Sequence, residues 1–187
     1  MPPTSPILLI LDLDETLLHA ADTRVDGRVP DAEVLGFQVY FRPHVADFLR
    51  KCAEDFELAI WSSGTDDYVE AMVDALPAHR SLFRFVWGRS RCTYKRERAN
   101  SGFGELLPDY EYTKQLSKVV RTGYRKERIL IVEDTPLKVL NCYGNAIYVP
   151  PFMGQPDDVL LELHAYLQTL KDAEDVRRIE KRFWRGK

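Results

Sequence analysis

The sequence has little that would staple it together or lodge it in a membrane. Its three cysteines, Cys52, Cys92 and Cys142, are odd in number and widely spaced, with no C-x-x-C pair and no histidine at metal-ligand spacing. That excludes a disulfide framework or a zinc ribbon and fits a reducing compartment, read here as the cytoplasm. Long apolar runs are missing too: the N-terminal run, Ile7 to Leu11, stops at Asp12 and follows no basic segment. Neither a signal peptide nor a membrane span is expected. No charge sign dominates, since 26 basic and 29 acidic side chains leave a net charge of −3, so no overall field draws the chain to nucleic acid or an anionic membrane. Internal repeats and low-complexity tracts are absent.

What remains is a chain of 187 residues, 45% apolar and 29% charged, which suits one globular domain over 1–187 with its core at about 7–151. Three apolar runs carry the pattern: Ile7 to Leu11, Phe56 to Trp61 and Ile129 to Val132, each ending in small polar or acidic residues. Continuous apolar runs suit strands buried on both faces of a parallel sheet. Helix-like periodicity lies between them at Val45 to Glu54, Tyr68 to Leu76 and Tyr112 to Val120. The expected fold is therefore α/β, a Rossmann-like parallel sheet flanked by helices. Residues 22–41, with Asp26-Gly27 and an alternating stretch from Val34 to Phe41, read as a small β insertion after the first strand. Residues 84–108 read as a strand plus a mobile loop. Ile147 to Val149 reads as a last strand, and a C-terminal amphipathic helix is expected at about 157–183.

In such sheets ligands sit outside the carboxyl ends of the strands, where all three polar clusters fall. The first cluster, Asp12-Leu-Asp14-Glu-Thr16, ends a buried strand, where uncompensated charge costs several kcal/mol by rough reckoning. A Mg²⁺ ion would neutralise it, since that ion takes one or two carboxylates together with waters and substrate phosphate. The same two aspartates also fit a turn or a helix cap.

The Asp12-Leu-Asp14-Glu-Thr16-Leu stretch, with Arg42-Pro-His-Val-Ala-Asp-Phe-Leu49, Ile60-Trp-Ser-Ser63 and Ile131-Val-Glu-Asp-Thr-Pro136, resembles the haloacid dehalogenase-type phosphatases. Within them it is similar to the small NLI-interacting-factor-like phosphatases that act on the C-terminal domain of RNA polymerase II, and to their bacterial relatives. The resemblance implies a Mg²⁺-dependent phosphomonoester hydrolase in which Asp12 is the nucleophile and Asp14 the acid and base. It implies that Ser62 binds phosphate through its hydroxyl, with Ser63 and Gly64 offering backbone N–H groups, and that Thr16 and Arg89 belong to the same phosphate-binding set. Lys114 takes the place of the family's charge-screening lysine, with Lys118 as competitor. The metal ligands implied are Asp12, Asp14 through its main-chain carbonyl, Glu133 and Asp134. Glu133 departs from the aspartate usual there, which leaves open whether it or Asp134 touches the ion.

Several features bear on substrate. The spacing between motifs leaves no room for a large cap domain, so an open site suited to a phosphorylated protein or peptide is expected, with phosphoserine or phosphothreonine as the target. A small-molecule phosphatase and a non-catalytic phosphoprotein-binding module stay open as alternatives. Residues 84–98 gather Arg84, Arg89, Arg91, Lys95, Arg96 and Arg98 around aromatic residues. That stripe fits either a polyanion contact or solvated arginines over a half-buried strand, and nucleic acid is not the expected partner. Tyr68 and Val39 match the family's proline-peptide pocket, whereas Thr65 is polar where the family is apolar. The Arg182-Phe-Trp-Arg tail is expected to expose aromatics, in a monomer or weak dimer.

Overall fold

A computed structural model describes residues 6–94 and 112–186. Its centre is a parallel five-stranded sheet. In chain order its members are β1 (Ile7–Leu11), β5 (Phe56–Trp61), β6 (Phe83–Trp87), β9 (Ile129–Glu133) and β10 (Ala146–Tyr148), in the spatial order β10-β9-β1-β5-β6. Every residue of β1 and β9 is buried, which is why these strands are apolar on both faces. Residues Ile7, Leu9 and Leu11 pack with one layer of helices, α1 (Val45–Asp55), α2 (Asp66–Ala75) and α4 (Val159–Gln168). Residues Leu8 and Ile10 pack with Leu116, Val119, Val139 and Cys142 on the other face.

Register aligns the strand ends. Leu11 pairs with Ile60 on one side and Val132 on the other, and the Asp12 N–H extends the ladder to the Val132 carbonyl at 3.0 Å. The chain runs from β1 outward to β5 and β6, then returns to β9 and β10 on the far side of β1. The carboxyl end of β1 is thus the topological switch point.

The insertion after β1 is a three-stranded antiparallel sheet of β2 (Leu18–Ala21), β3 (Ala32–Val34) and β4 (Phe37–Phe41), ordered β2-β4-β3. Its tight turn uses Leu35 and Gly36, both at positive φ (51° and 85°), as a two-residue hairpin requires. Arg42 fastens this insertion: buried, it pairs with Asp157 at 2.9 Å and donates to the carbonyls of Thr16 and Pro150. The Arg42-Pro-His stretch is therefore a tie between the first loop and the chain beyond β10.

Three sequence expectations are corrected. The helix expected from Tyr112 to Val120 is shorter: Tyr112–Thr113 form β8, paired with β7 (Thr93–Tyr94), and α3 covers Ser117–Val120. Aromatic and β-branched residues on both sides favour the pairing there over helix. The helix expected at about 157–183 runs over Val159–Gln168 alone. Beyond it, the Thr169 hydroxyl donates back to the Tyr166 carbonyl, and the Asp175 carboxylate accepts the Arg177 N–H; such side chains compete with helical pairing. The tail aromatics separate, with Phe183 exposed but Trp184 buried, its indole N–H donating to the Tyr148 carbonyl at 2.7 Å. The expected loop within 84–108, and with it Lys95, Arg96 and Arg98, lies largely outside the described residues. No helix among the described residues is long and apolar enough to cross a membrane.

Candidate active site

The loop after β1 is wound tightly: the N–H groups of Thr16, Leu17 and Leu18 all point to the Leu13 carbonyl. Glu15 within it has a left-handed backbone (φ 56°), a conformation that costs a non-glycine residue free energy. Two hydrogen bonds hold it there, from its own N–H to the Leu18 carbonyl and from the Phe152 N–H to its carbonyl. This winding turns Asp12 and Asp14 into different surroundings.

Asp12, 1% exposed, faces cations. Lys114 Nζ lies 2.5 Å from its Oδ1 and 2.6 Å from Glu133 Oε2. Burial pushes Asp12 upward, but Lys114 and then Lys138 outweigh it and hold its pKa below the ordinary carboxylate value. Asp14 faces hydroxyls. Tyr68 donates to its Oδ1 at 2.5 Å and Ser62 to its Oδ2 at 3.0 Å. Burial and the neighbouring Asp12 charge raise Asp14 above the ordinary value despite these donors. Two carboxylates two residues apart are thus driven in opposite directions, one toward the ionised and one toward the protonated form, which separates base-like from acid-like chemistry.

The remaining expected residues fall around this pair. Ser62 follows β5 directly, and its hydroxyl also accepts the Gly64 N–H at 3.0 Å. The hydroxyl therefore bridges Asp14 to the next loop and does not cap α2, which Thr65 precedes. Ser63 follows, its carbonyl accepting Arg89 Nε at 2.9 Å, and Arg89 also lies over the Tyr112 ring at 4.9 Å. Thr16 is buried, and its hydroxyl has no hydrogen-bond partner among the described residues. Lys118 does not compete with Lys114: its ammonium donates to the carbonyls of Arg91 and Cys92. Lys114 itself lies before α3, whose four residues begin at Ser117, and not on the helix expected from Tyr112.

Glu133, Asp134 and Asp12 each bring a carboxylate oxygen within 4.8 Å of the others. Two buried oxygens in this group, Asp12 Oδ2 and Asp134 Oδ1, accept no hydrogen bond among the described residues, and such orphans call for a partner. Three hard oxygen donors with two unsatisfied atoms fit a divalent cation. The Asp14 carboxylate turns away toward Tyr68 and Ser62, so only its main chain remains for an ion. Burial and the Asp12 charge raise Glu133 well above its usual range, against Lys114 and Lys138.

Two participants escaped the sequence reading. Lys138 was not singled out, yet its ammonium faces Asp12, Glu133 and Asp134; the signal available was its spacing of four from Asp134. Tyr68 was placed in a peptide pocket, whereas its hydroxyl grips Asp14. Val39, assigned to the same pocket, is fully buried in the core. The ring standing edge-on to Tyr68, at 5.8 Å, is Phe37.

Comparison with known proteins bears on the fold and the family. A solved structure of Fcp1, an RNA polymerase II CTD phosphatase, superposes with a TM-score of 0.55 at 21% identity, covering 92% of this chain and 51% of that one. The two chains thus share one α/β fold. The family model for NLI interacting factor-like phosphatase matches residues 7–177, and the chain belongs to that family. A CTD nuclear envelope phosphatase 1 homolog of Drosophila melanogaster is 30% identical over 188 residues, covering 91% of this chain and 70% of its own. The nuclear envelope morphology protein 1 of Schizosaccharomyces pombe is 26% identical over 90% of this chain, which spans 34% of that protein's length. These nuclear envelope names overturn the expectation of a plain cytoplasmic location. The three cysteines are free and buried, a state compatible with any reducing compartment and not with the cytoplasm alone.

Proposed function

We propose that this chain hydrolyses phosphate monoesters through an aspartyl-phosphate on Asp12, with Mg²⁺ as cofactor and phosphoserine or phosphothreonine in proteins as substrate. The observation that carries the proposal is the opposed environments of the two aspartates. Asp12 is kept ionised by Lys114 at 2.5 Å, and Asp14 is pushed toward its protonated form beside it.

In the first step an Asp12 oxygen forms a bond to phosphorus as the ester P–O bond breaks, and the leaving alkoxide takes the Asp14 proton. In the second, Asp14 as carboxylate takes a proton from water, whose oxygen attacks phosphorus and frees inorganic phosphate and Asp12. Splitting one displacement into two is the advantage of covalent catalysis, and a positioned acid and base typically adds about 10² to 10⁴ in rate. Ser62, the N–H groups of Ser63 and Gly64, and Thr16 would hold the phosphoryl oxygens, with Arg89 at the rim. Asp12, the Asp14 carbonyl, Glu133 and Asp134 would hold Mg²⁺, whose charge offsets that of the phosphoryl group.

The β2-β4-β3 insertion has only three short strands, which supports a protein substrate over a metabolite. The relatives' names support action at the nuclear envelope. The test is phosphate release from para-nitrophenyl phosphate with and without Mg²⁺, beside D12N and a panel of phosphoserine, phosphothreonine and phosphotyrosine peptides. Metal-dependent turnover lost in D12N is expected; absence of turnover on every substrate would favour a phosphoprotein-binding module.

A further inference from the structure

Two lysines serve the carboxylate cluster, and they differ in how they are held. Lys114 is fully enclosed and bonded at 2.5 and 2.6 Å to Asp12 Oδ1 and Glu133 Oε2. Lys138 Nζ stands 4.0 Å from Asp12 Oδ2, 3.5 Å from Glu133 Oε1 and 3.8 Å from Asp134 Oδ1. It therefore covers the oxygens that Lys114 leaves free, and two of them, Asp12 Oδ2 and Asp134 Oδ1, are the buried orphans. An ammonium so placed sits where a divalent ion would draw its ligands, and at longer reach than a formed hydrogen bond.

Lys138 also has somewhere else to go. A cavity of about 180 Å³ opens beside it, lined by Thr93, Tyr94, Lys114, Gln115 and Leu140 as well as Lys138 itself. The Lys114 N–H donates to the Lys138 carbonyl at 2.8 Å, which ties the backbone there and leaves the four-carbon stem as the part free to turn.

We infer that Lys138 is a displaceable internal cation: its ammonium neutralises the free oxygens of Asp12, Glu133 and Asp134 until a divalent ion takes them, then swings into the adjoining cavity. The inference rests on the metal reading of this site. Its physical content is competition. A positive charge within about 4 Å of the ligand oxygens repels an incoming cation strongly in a partly buried site. Without that charge the metal-free protein holds clustered carboxylates with one cation fewer.

The test is calorimetric titration of Mg²⁺ into the metal-stripped full chain, as wild type, K138M and K138R. K138M is expected to bind Mg²⁺ about tenfold tighter than wild type, with K138R remaining close to wild type. Equal or weaker binding by K138M overturns this inference alone, whereas no Mg²⁺ binding by any of the three overturns the metal reading with it. The second measurement needs no variant: acetylation of wild-type lysines by acetic anhydride, mapped by mass spectrometry. Mg²⁺ should raise labelling of Lys138 several-fold and leave Lys114 protected, and unchanged or reduced labelling of Lys138 would contradict the displacement.

Discussion

The Tyr68 hydroxyl donates a 2.5 Å hydrogen bond to Asp14 Oδ1, so the first helix after β5 grips the very carboxylate proposed to move the proton. A hydrogen bond to the charged form of an acid favours that form, and Tyr68 therefore restrains a pKa that burial and Asp12 raise. In Y68F the restraint is lost and Asp14 stays protonated to higher pH. The alkaline limb of kcat against pH is expected to move upward; a limb that stays in place would show that Tyr68 does not tune this acid.

Removing the acid itself is a harsher change. D14N keeps the shape, and its amide can still accept from Ser62 or Tyr68, so folding should survive. Turnover is expected to fall by about 10² to 10⁴, the usual contribution of a positioned acid and base. Steady-state kinetics with circular dichroism as a folding control would check it.

Lys114 predicts stability as well as rate. In K114M two buried carboxylates, Asp12 and Glu133, lose the ammonium that lies 2.5 and 2.6 Å away. Breaking a buried pair from one side costs about 3 to 5 kcal/mol. Urea denaturation of the metal-free protein should show a loss of that order, and a loss under about 1 kcal/mol would place Lys114 among ordinary surface pairs.

Much of this arrangement is legible in the sequence. The three apolar runs that stop at Asp12, Ser62 and Glu133 become neighbouring parallel strands, because continuous burial on both faces leaves few other uses for such runs. The pairing of Lys114 with Asp12 followed from family resemblance, not from spacing, since 102 residues separate them. Apart from its spacing of four from Asp134, little in the sequence marked Lys138, for a physical reason. It lies in the Pro136–Asn145 segment of 3₁₀ turns, whose φ/ψ breaks at Val139 and Cys142 erase any helical period. Tyr68 read as a pocket residue because no sequence pattern tells where a hydroxyl points. The short β7-β8 pair was missed because two-residue strands leave almost no alternation to read.

Glu15 offers a pH test on a carboxylate outside the proposed metal-ligand set. Burial, then the charges of Asp14, Asp134 and Asp12, raise its pKa to about 7 from 4.5. Between those values the folded state holds a proton that the unfolded chain has released, so stability falls as pH rises through that window and the penalty is complete above about 7. Partial exposure of this residue reduces the size of the effect. E15Q should flatten the pH dependence of the melting temperature between about 4.5 and 7, and an unchanged slope would assign it to other groups.

If Asp12 carries the phosphoryl group, the acyl phosphate can be trapped during turnover. The direct measurement is acid quenching of the enzyme during turnover of para-nitrophenyl phosphate, followed by peptide mass spectrometry. A phosphoryl adduct is expected on Asp12 in wild type, more of it in an enzyme with slowed hydrolysis, and none in D12N, which should also lose turnover. An adduct on another residue, or D12N turning over at the wild-type rate, would contradict it.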